Sequence, residues 1–110
     1  MNCSRALAVM AAVAALSVAA PLWAADGNPA AGGQKKQMCE GCHGIKGYRT
    51  AYPAVYAVPK LGGQSAPYVV KALQDYQSGA RRHPSMDAIA ASLSAQDMAD
   101  LAAYYASDLK

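Results

Sequence analysis

Cys39 and Cys42 lie three residues apart, and His43 follows the second cysteine directly. On a helix or tight turn that spacing puts both thiols on one face. A thiolate is a nucleophile and a metal ligand, and two thiols can close as a disulfide. Four chemistries therefore compete for Cys39-Glu40-Gly41-Cys42-His43. They are a structural disulfide, a zinc site, a thiol redox pair, and two covalent bonds to a haem whose iron takes the histidine.

The rest of the chain separates them. A zinc site needs about four ligands. Beyond Cys39, Cys42 and His43 only His83 or carboxylates remain. A thioredoxin-like pair needs a βαβ setting, and no segment here alternates convincingly as a strand. A disulfide would leave His43 without a reason. C-x-x-C-H is the attachment pattern of haem c. Each thiol can form a thioether to one vinyl group, and the His43 ring can reach the iron from the same side. The motif occurs once, so one haem is expected. His43 must then present Nε2, while its other nitrogen donates to a backbone carbonyl. A carbonyl within residues 53–59 is the natural acceptor.

Candidates for the sixth iron ligand are few. Met1 and Met10 fall in a leader. Met38 abuts Cys39 and would lie on the wrong side of the ring. Met98 sits on an apolar helical stripe and reads as core. Met86 reads as a loop residue between helices, far enough beyond His43 to wrap around the group. His83, three residues away, is the rival, although an exposed loop histidine is its plainer reading. Histidine and methionine together raise the potential and fill both axial positions. Filled positions favour electron transfer over catalysis.

These residues need a scaffold, and the chain is short for one. It has 110 residues, no Phe, one Trp and seven Tyr, with much of its 54% apolar content in alanine. That is one domain with a thin core of its own. A buried prosthetic group would supply what is missing. Residues 1–24 read as a secretory signal: Arg5, an apolar run over residues 6–20, and small residues at a cut after Ala24 or Ala25. The alternative is an uncleaved anchor, since residues 6–25 just reach the roughly 20 needed to span a bilayer. Cleavage leaves a domain of residues 25–110 in the periplasm, with no other membrane segment.

Removing the leader takes away Cys3 and Arg5 and lowers the net charge from +3 to +2. That is too weak for nucleic acid. The charge is uneven: residues 26–60 carry +3 and residues 61–110 carry −1. Lys46, Arg49 and Lys60 therefore sit near the cysteine motif in sequence, where they would steer acidic partners.

The elements read as helices. Residues 30–42 form a first helix, weakened by Gly32 and Gly33. Residues 44–63 form a long irregular stretch with six Gly and Pro residues, of a length that is usually functional. Ser65 caps a second helix with Pro67 in its first turn, Val69, Leu73 and Tyr76 on one stripe, and Gly79 at its end. Residues 81–85 are a loop. Residues 87–93 form a short helix. Ser94 and Asp97 make a capping box for a last helix over residues 95–107, with Met98, Leu101, Tyr104 or Tyr105, and Leu109 facing inward.

Taken together, residues 25–110 resemble the small bacterial class I cytochromes c. Four segments carry the likeness: Cys39-Glu40-Gly41-Cys42-His43-Gly44; Pro59-Lys60-Leu61-Gly62-Gly63-Gln64 with Tyr68; Gly79-Ala80-Arg81 up to Met86; and Leu101-Ala102-Ala103-Tyr104-Tyr105-Ala106. The resemblance implies an all-α fold of three to five helices around one covalent haem. It implies that the Pro59 carbonyl accepts from His43 and that Met86 is the distal ligand. It places Pro59, Gln64, Tyr68 and Arg81 around the haem. One departure is Lys36, where the family usually carries an aromatic or large apolar residue. Gly32 would permit close approach to Tyr104 instead. Tyr48, Tyr52 and Tyr56 are a second departure, readable as a haem shield, a partner surface or plain loop packing.

The expected function is a periplasmic one-electron carrier and not an enzyme, either a free monomeric shuttle or the cytochrome subunit of a redox complex. The alternative is a haem enzyme, or a sensor of gas or peroxide, with a labile sixth ligand. It requires that Met86 not bind iron.

Overall fold

The computed structural model describes residues 26–52 and 54–108. The expected signal segment, Pro53, Leu109 and Lys110 lie outside them. Among the described residues there are five helices: α1 Pro29–Lys35, α2 Gln37–His43, α3 Ala66–Ser78, α4 Pro84–Ala91 and α5 Ala95–Ser107. They contain no strand, only an isolated antiparallel bridge between Arg49 and Ala57. The all-α expectation holds. Among the described residues no helix is long and apolar enough to cross a membrane.

The expected first helix is two helices. Asn28 caps α1, its side-chain oxygen accepting from Ala30 N and Ala31 N, with Pro29 at the first position. Gly32 and Gly33 each weaken a helix by about 1 kcal/mol against alanine. The helix stops at Lys36, whose carbonyl accepts from both Cys39 N (2.8 Å) and Glu40 N (3.0 Å). α2 starts afresh there and carries the cysteine motif.

α1 docks on α5 through a glycine. A Cβ on Gly32 would stand 2.1 Å from the Asp100 carbonyl oxygen and 2.7 Å from Tyr104 Cβ. Lys36, in the place of the family's aromatic, lays its ammonium 5.2 Å from the Tyr104 ring centroid and 2.7 Å from the Glu40 carboxylate. Such a cation–π contact adds about 0.5–1 kcal/mol at an exposed site.

The seam also holds a buried charge. Asp100 is 3% exposed. Its carboxylate accepts from Asn28 N (2.9 Å), Lys35 Nζ (2.7 Å) and Gln96 Nε2 (2.8 Å). These bonds, the Asn28 amide first, lower its pKa from 3.8 to about 2. The unfolded chain takes up this proton near the ordinary value, whereas the folded chain resists until about pH 2. Asp100 thus stabilises the fold above the ordinary value, and that contribution is lost as pH falls through the folded one. Asp100→Asn should lower the melting temperature at neutral pH and flatten its decline between about pH 5 and 2. A decline parallel to that of the parent protein would contradict this.

α3 and α5 form as their sequences dictate. The Ser65 hydroxyl accepts from Tyr68 N, and Gly79 closes α3 with φ +83°. Ser94 and Asp97 form the reciprocal capping box of α5. The core joins Val69 and Leu73 of α3, Leu93, and Met98, Leu101, Ala102 and Tyr105 of α5. Tyr105, not Tyr104, is the buried tyrosine.

α4 begins three residues earlier than expected. Pro84 opens it instead of sitting in a loop, because its missing N–H is no loss in a first turn. His83 is the cap: its Nδ1 accepts from Met86 N (3.4 Å), while Asp87 accepts from His83 N (3.1 Å). Met86 is therefore in the first turn of a helix, and His83 is half-buried rather than an exposed loop residue. Gln77 Nε2 donates to Ala90 O and Leu93 O, both at 3.1 Å, and pins the end of α4 to α3.

The two arms of the long stretch, residues 48–50 and 56–58, are held together by backbone bonds. Thr50 N donates to Tyr56 O and Val58 N to Tyr48 O, both at 3.0 Å. Gly63 N then donates to Tyr105 O (2.9 Å), tying the stretch to α5.

Candidate haem site

α2, the end of the long stretch, α3 and α4 enclose a cavity of about 460 Å³. Cofactor sites commonly span about 300–1,000 Å³. Cys39, Cys42 and His43 reach it from α2, Pro59 and Gln64 from the connection, Tyr68 from α3, Arg81 from the following turn, and Met86 from α4. Every sequence-predicted site residue thus lines one cavity. Val69, Leu73, Ile89 and Leu101 give it an apolar wall shared with the core.

Both cysteines are half-buried free thiols. Burial pushes the Cys39 thiol pKa up. His43 Nδ1 donates to the Pro59 carbonyl oxygen at 2.7 Å. A carbonyl can only accept, so Nδ1 carries a proton, and in the neutral ring the lone pair is then on Nε2. That is the tautomer needed to bind a metal. Met86 is half-buried against the core. Met98 is 1% exposed and absent from the wall. Met38 edges the cavity but is 47% exposed, on the helix that already carries His43.

The wall holds residues the sequence did not single out for it. Tyr105 is 6% exposed, and its buried hydroxyl meets no nitrogen or oxygen partner among the described residues. The only hint was a phenol on an apolar stripe. Of the three loop tyrosines the sequence offered as a haem shield, Tyr56 lines the cavity and meets the His83 ring edge-on at 4.7 Å, whereas Tyr52 is 89% exposed. Arg82 joins Lys60 and Arg81 at the rim. Arg81 lies 4.9 Å from the Tyr76 ring centroid and donates to the Tyr68 hydroxyl at 3.4 Å. A second hollow of about 570 Å³ reaches His43 and Tyr105, with Lys46 on its wall, but neither cysteine nor Met86.

Two half-buried thiols, an imidazole held through Nδ1 by Pro59, a thioether from another helix and an apolar wall fit a large apolar group with a metal in it. Among the described residues no three His, Cys, Asp or Glu side chains gather to hold an ion, so these donors do not compose a zinc site.

Residues 30–107 match the family model for cytochrome c. The chain belongs to the cytochrome c family. The group that fits the cavity is accordingly haem c, covalently bound, with Cys39 and Cys42 in its attachment spacing. Cytochrome c4 of Pseudomonas aeruginosa is 41% identical over 83 residues, covering 76% of this chain and 39% of that protein. Cytochrome c-554(548) of Halomonas halodenitrificans is 40% identical over 84 residues, covering 74% of this chain and 96% of that one. The crystal structure of reduced cytochrome c4 from Pseudomonas stutzeri superposes with a TM-score of 0.60 at 35% identity, over 74% of this chain and 46% of that one. The chain thus spans less than half the length of the cytochrome c4 relatives it matches, and nearly all of the cytochrome c-554(548). The likeness to cytochrome c4 fits the class I fold.

Proposed function

We propose that this chain is a one-electron carrier with a single haem, its iron held by His43 and Met86. One observation carries the reading: Cys39, Cys42 and His43 on α2 and Met86 on α4 line the same apolar cavity. When bound, haem c supplies an iron that gains or loses one electron. The chain's own residues do the rest. Cys39 and Cys42 fix the group covalently, so it stays in place between partners. His43 and Met86 would both be iron ligands, which would leave no open position for a substrate. The Pro59 carbonyl orients His43 and raises its basicity. The core side chains keep water from the centre and so limit reorganisation as the charge changes. Residues 1–24 direct export and are removed, and the domain works in the periplasm as a monomeric shuttle or as a subunit of a redox complex.

The ferric holoprotein tests this. It should be low-spin, with a far-red band from methionine bound to iron. A high-spin ferric spectrum would overturn the ligand assignment and favour the enzyme or sensor reading.

The partner faces a basic rim. Lys60, Arg81 and Arg82 border the cavity, and all three are exposed. Steering of this kind raises association rates by roughly 10–10³ at low salt. Reduction by an acidic redox partner should therefore slow about tenfold or more as salt rises, measured by stopped flow. A rate independent of salt would remove the acidic partner from the account.

A further inference from the structure

Tyr105 is the one polar side chain on the buried stripe of α5 that touches the cavity. Its hydroxyl oxygen is buried and meets no nitrogen or oxygen partner among the described residues, and the Cys39 sulfur is its polar neighbour. Leaving such a group unsatisfied is costly, and native proteins rarely do so. Phenylalanine would fill the same space without that cost. The hydroxyl therefore needs an acceptor close by, and the Cys39 sulfur is the one within its reach. Cys39 packs against the cluster that contains Tyr105. Burial and the neighbouring Cys39 push the Tyr105 pKa up, so the phenol keeps its proton.

The chemistry of sulfur decides the direction of the bond. As a thiol, Cys39 is both a weak donor and a weak acceptor, whereas a thioether sulfur only accepts. We propose that the Tyr105 hydroxyl donates a hydrogen bond to the Cys39 sulfur once that sulfur is a thioether, and so raises the reduction potential. The inference rests on the reading of Cys39 as a haem attachment point. A donor at the thioether draws electron density from the edge of the ring and favours the reduced state. Hydrogen bonding around the haem is one of the levers by which a protein sets potential. Tyr105 is thus a positioning residue, acting on the haem through Cys39. Tyr104 is only partly buried and its ring faces Lys36, so it has no such role.

The test uses the holoprotein, with Tyr105→Phe and the control Tyr104→Phe. Tyr105→Phe should shift the electron-exchange constant with a fixed partner about three- to tenfold towards oxidation. At 59 mV per tenfold that is roughly 30–60 mV. Tyr104→Phe should leave it in place. In the unsubstituted protein, deuterium exchange should shift the carbon–sulfur stretch in the resonance Raman spectrum, and Tyr105→Phe should abolish that shift. An unchanged potential in Tyr105→Phe, or a stretch indifferent to deuterium, overturns the proposal. The first reading fails separately, through an unsubstituted chain that holds no covalent haem.

Discussion

Met86→Ala holoprotein should lose the far-red band, turn high-spin when oxidised, and bind cyanide or imidazole at once. Its reduction potential should fall by a sizeable part of the roughly 0.8 V span that axial ligands command. Met86 sits in the first turn of α4, with its amide held by His83 Nδ1. Gln77 anchors the other end of that helix to α3. The helix therefore stays in place when the thioether is removed, and the iron loses a ligand without a replacement being drawn in. His83 is the nearest substitute. However, its Nδ1 already accepts the Met86 amide, and its ring lies against Tyr56. Truncating a half-buried methionine also costs stability, at the lower end of the roughly 2–5 kcal/mol seen for large-to-alanine changes. A Met86→Ala protein with an unaltered low-spin spectrum and potential would remove Met86 from the iron.

Gly32→Val should be among the most damaging single changes in the scaffold. The new Cβ would stand 2.1 Å from the Asp100 carbonyl oxygen and 2.6 Å from its carbon. Both are backbone atoms of α5, so no side chain can swing aside. α1 must lift from α5, which strains the contacts of Asp100 with Asn28 and Lys35. Overpacking commonly costs about 1–3 kcal/mol, and the loss here should reach or exceed that upper figure. Thermal or denaturant unfolding of the holoprotein measures it. A stability within experimental error of the parent would mean that α1 does not lie on α5 as described.

The sequence was most readable where structure depends on neighbours a few residues apart. Ser65, Gly79 and the Ser94–Asp97 pair mark their helix ends by local hydrogen bonds or a single backbone angle. The cysteine motif is equally local. Boundaries that depend on tertiary contact were harder. The break at Lys36 follows from α1 being held by α5 while α2 serves the cavity, and no pattern within residues 30–42 announces it. Pro84 reads equally as loop or first turn, and only the His83–Asp87 exchange decides. Lys36 stands where the family usually carries an aromatic, and Gly32 was the expected point of close approach to Tyr104. In the fold, Gly32 makes the close contact and Lys36 covers Tyr104. Which of Tyr104 and Tyr105 faces the cavity hangs on a 100° rotation between consecutive residues, too fine for a stripe to fix. The basic rim was only half visible, because Arg81 and Arg82 reach it from a distant part of the chain.

An optical redox titration of the intact holoprotein tests the central claim most directly. It should give one reversible one-electron wave per chain, from a low-spin ferric form whose far-red methionine band disappears on reduction. A high-spin ferric form, or more than one wave from a single chain, would contradict an electron carrier with one haem held by Cys39, Cys42, His43 and Met86.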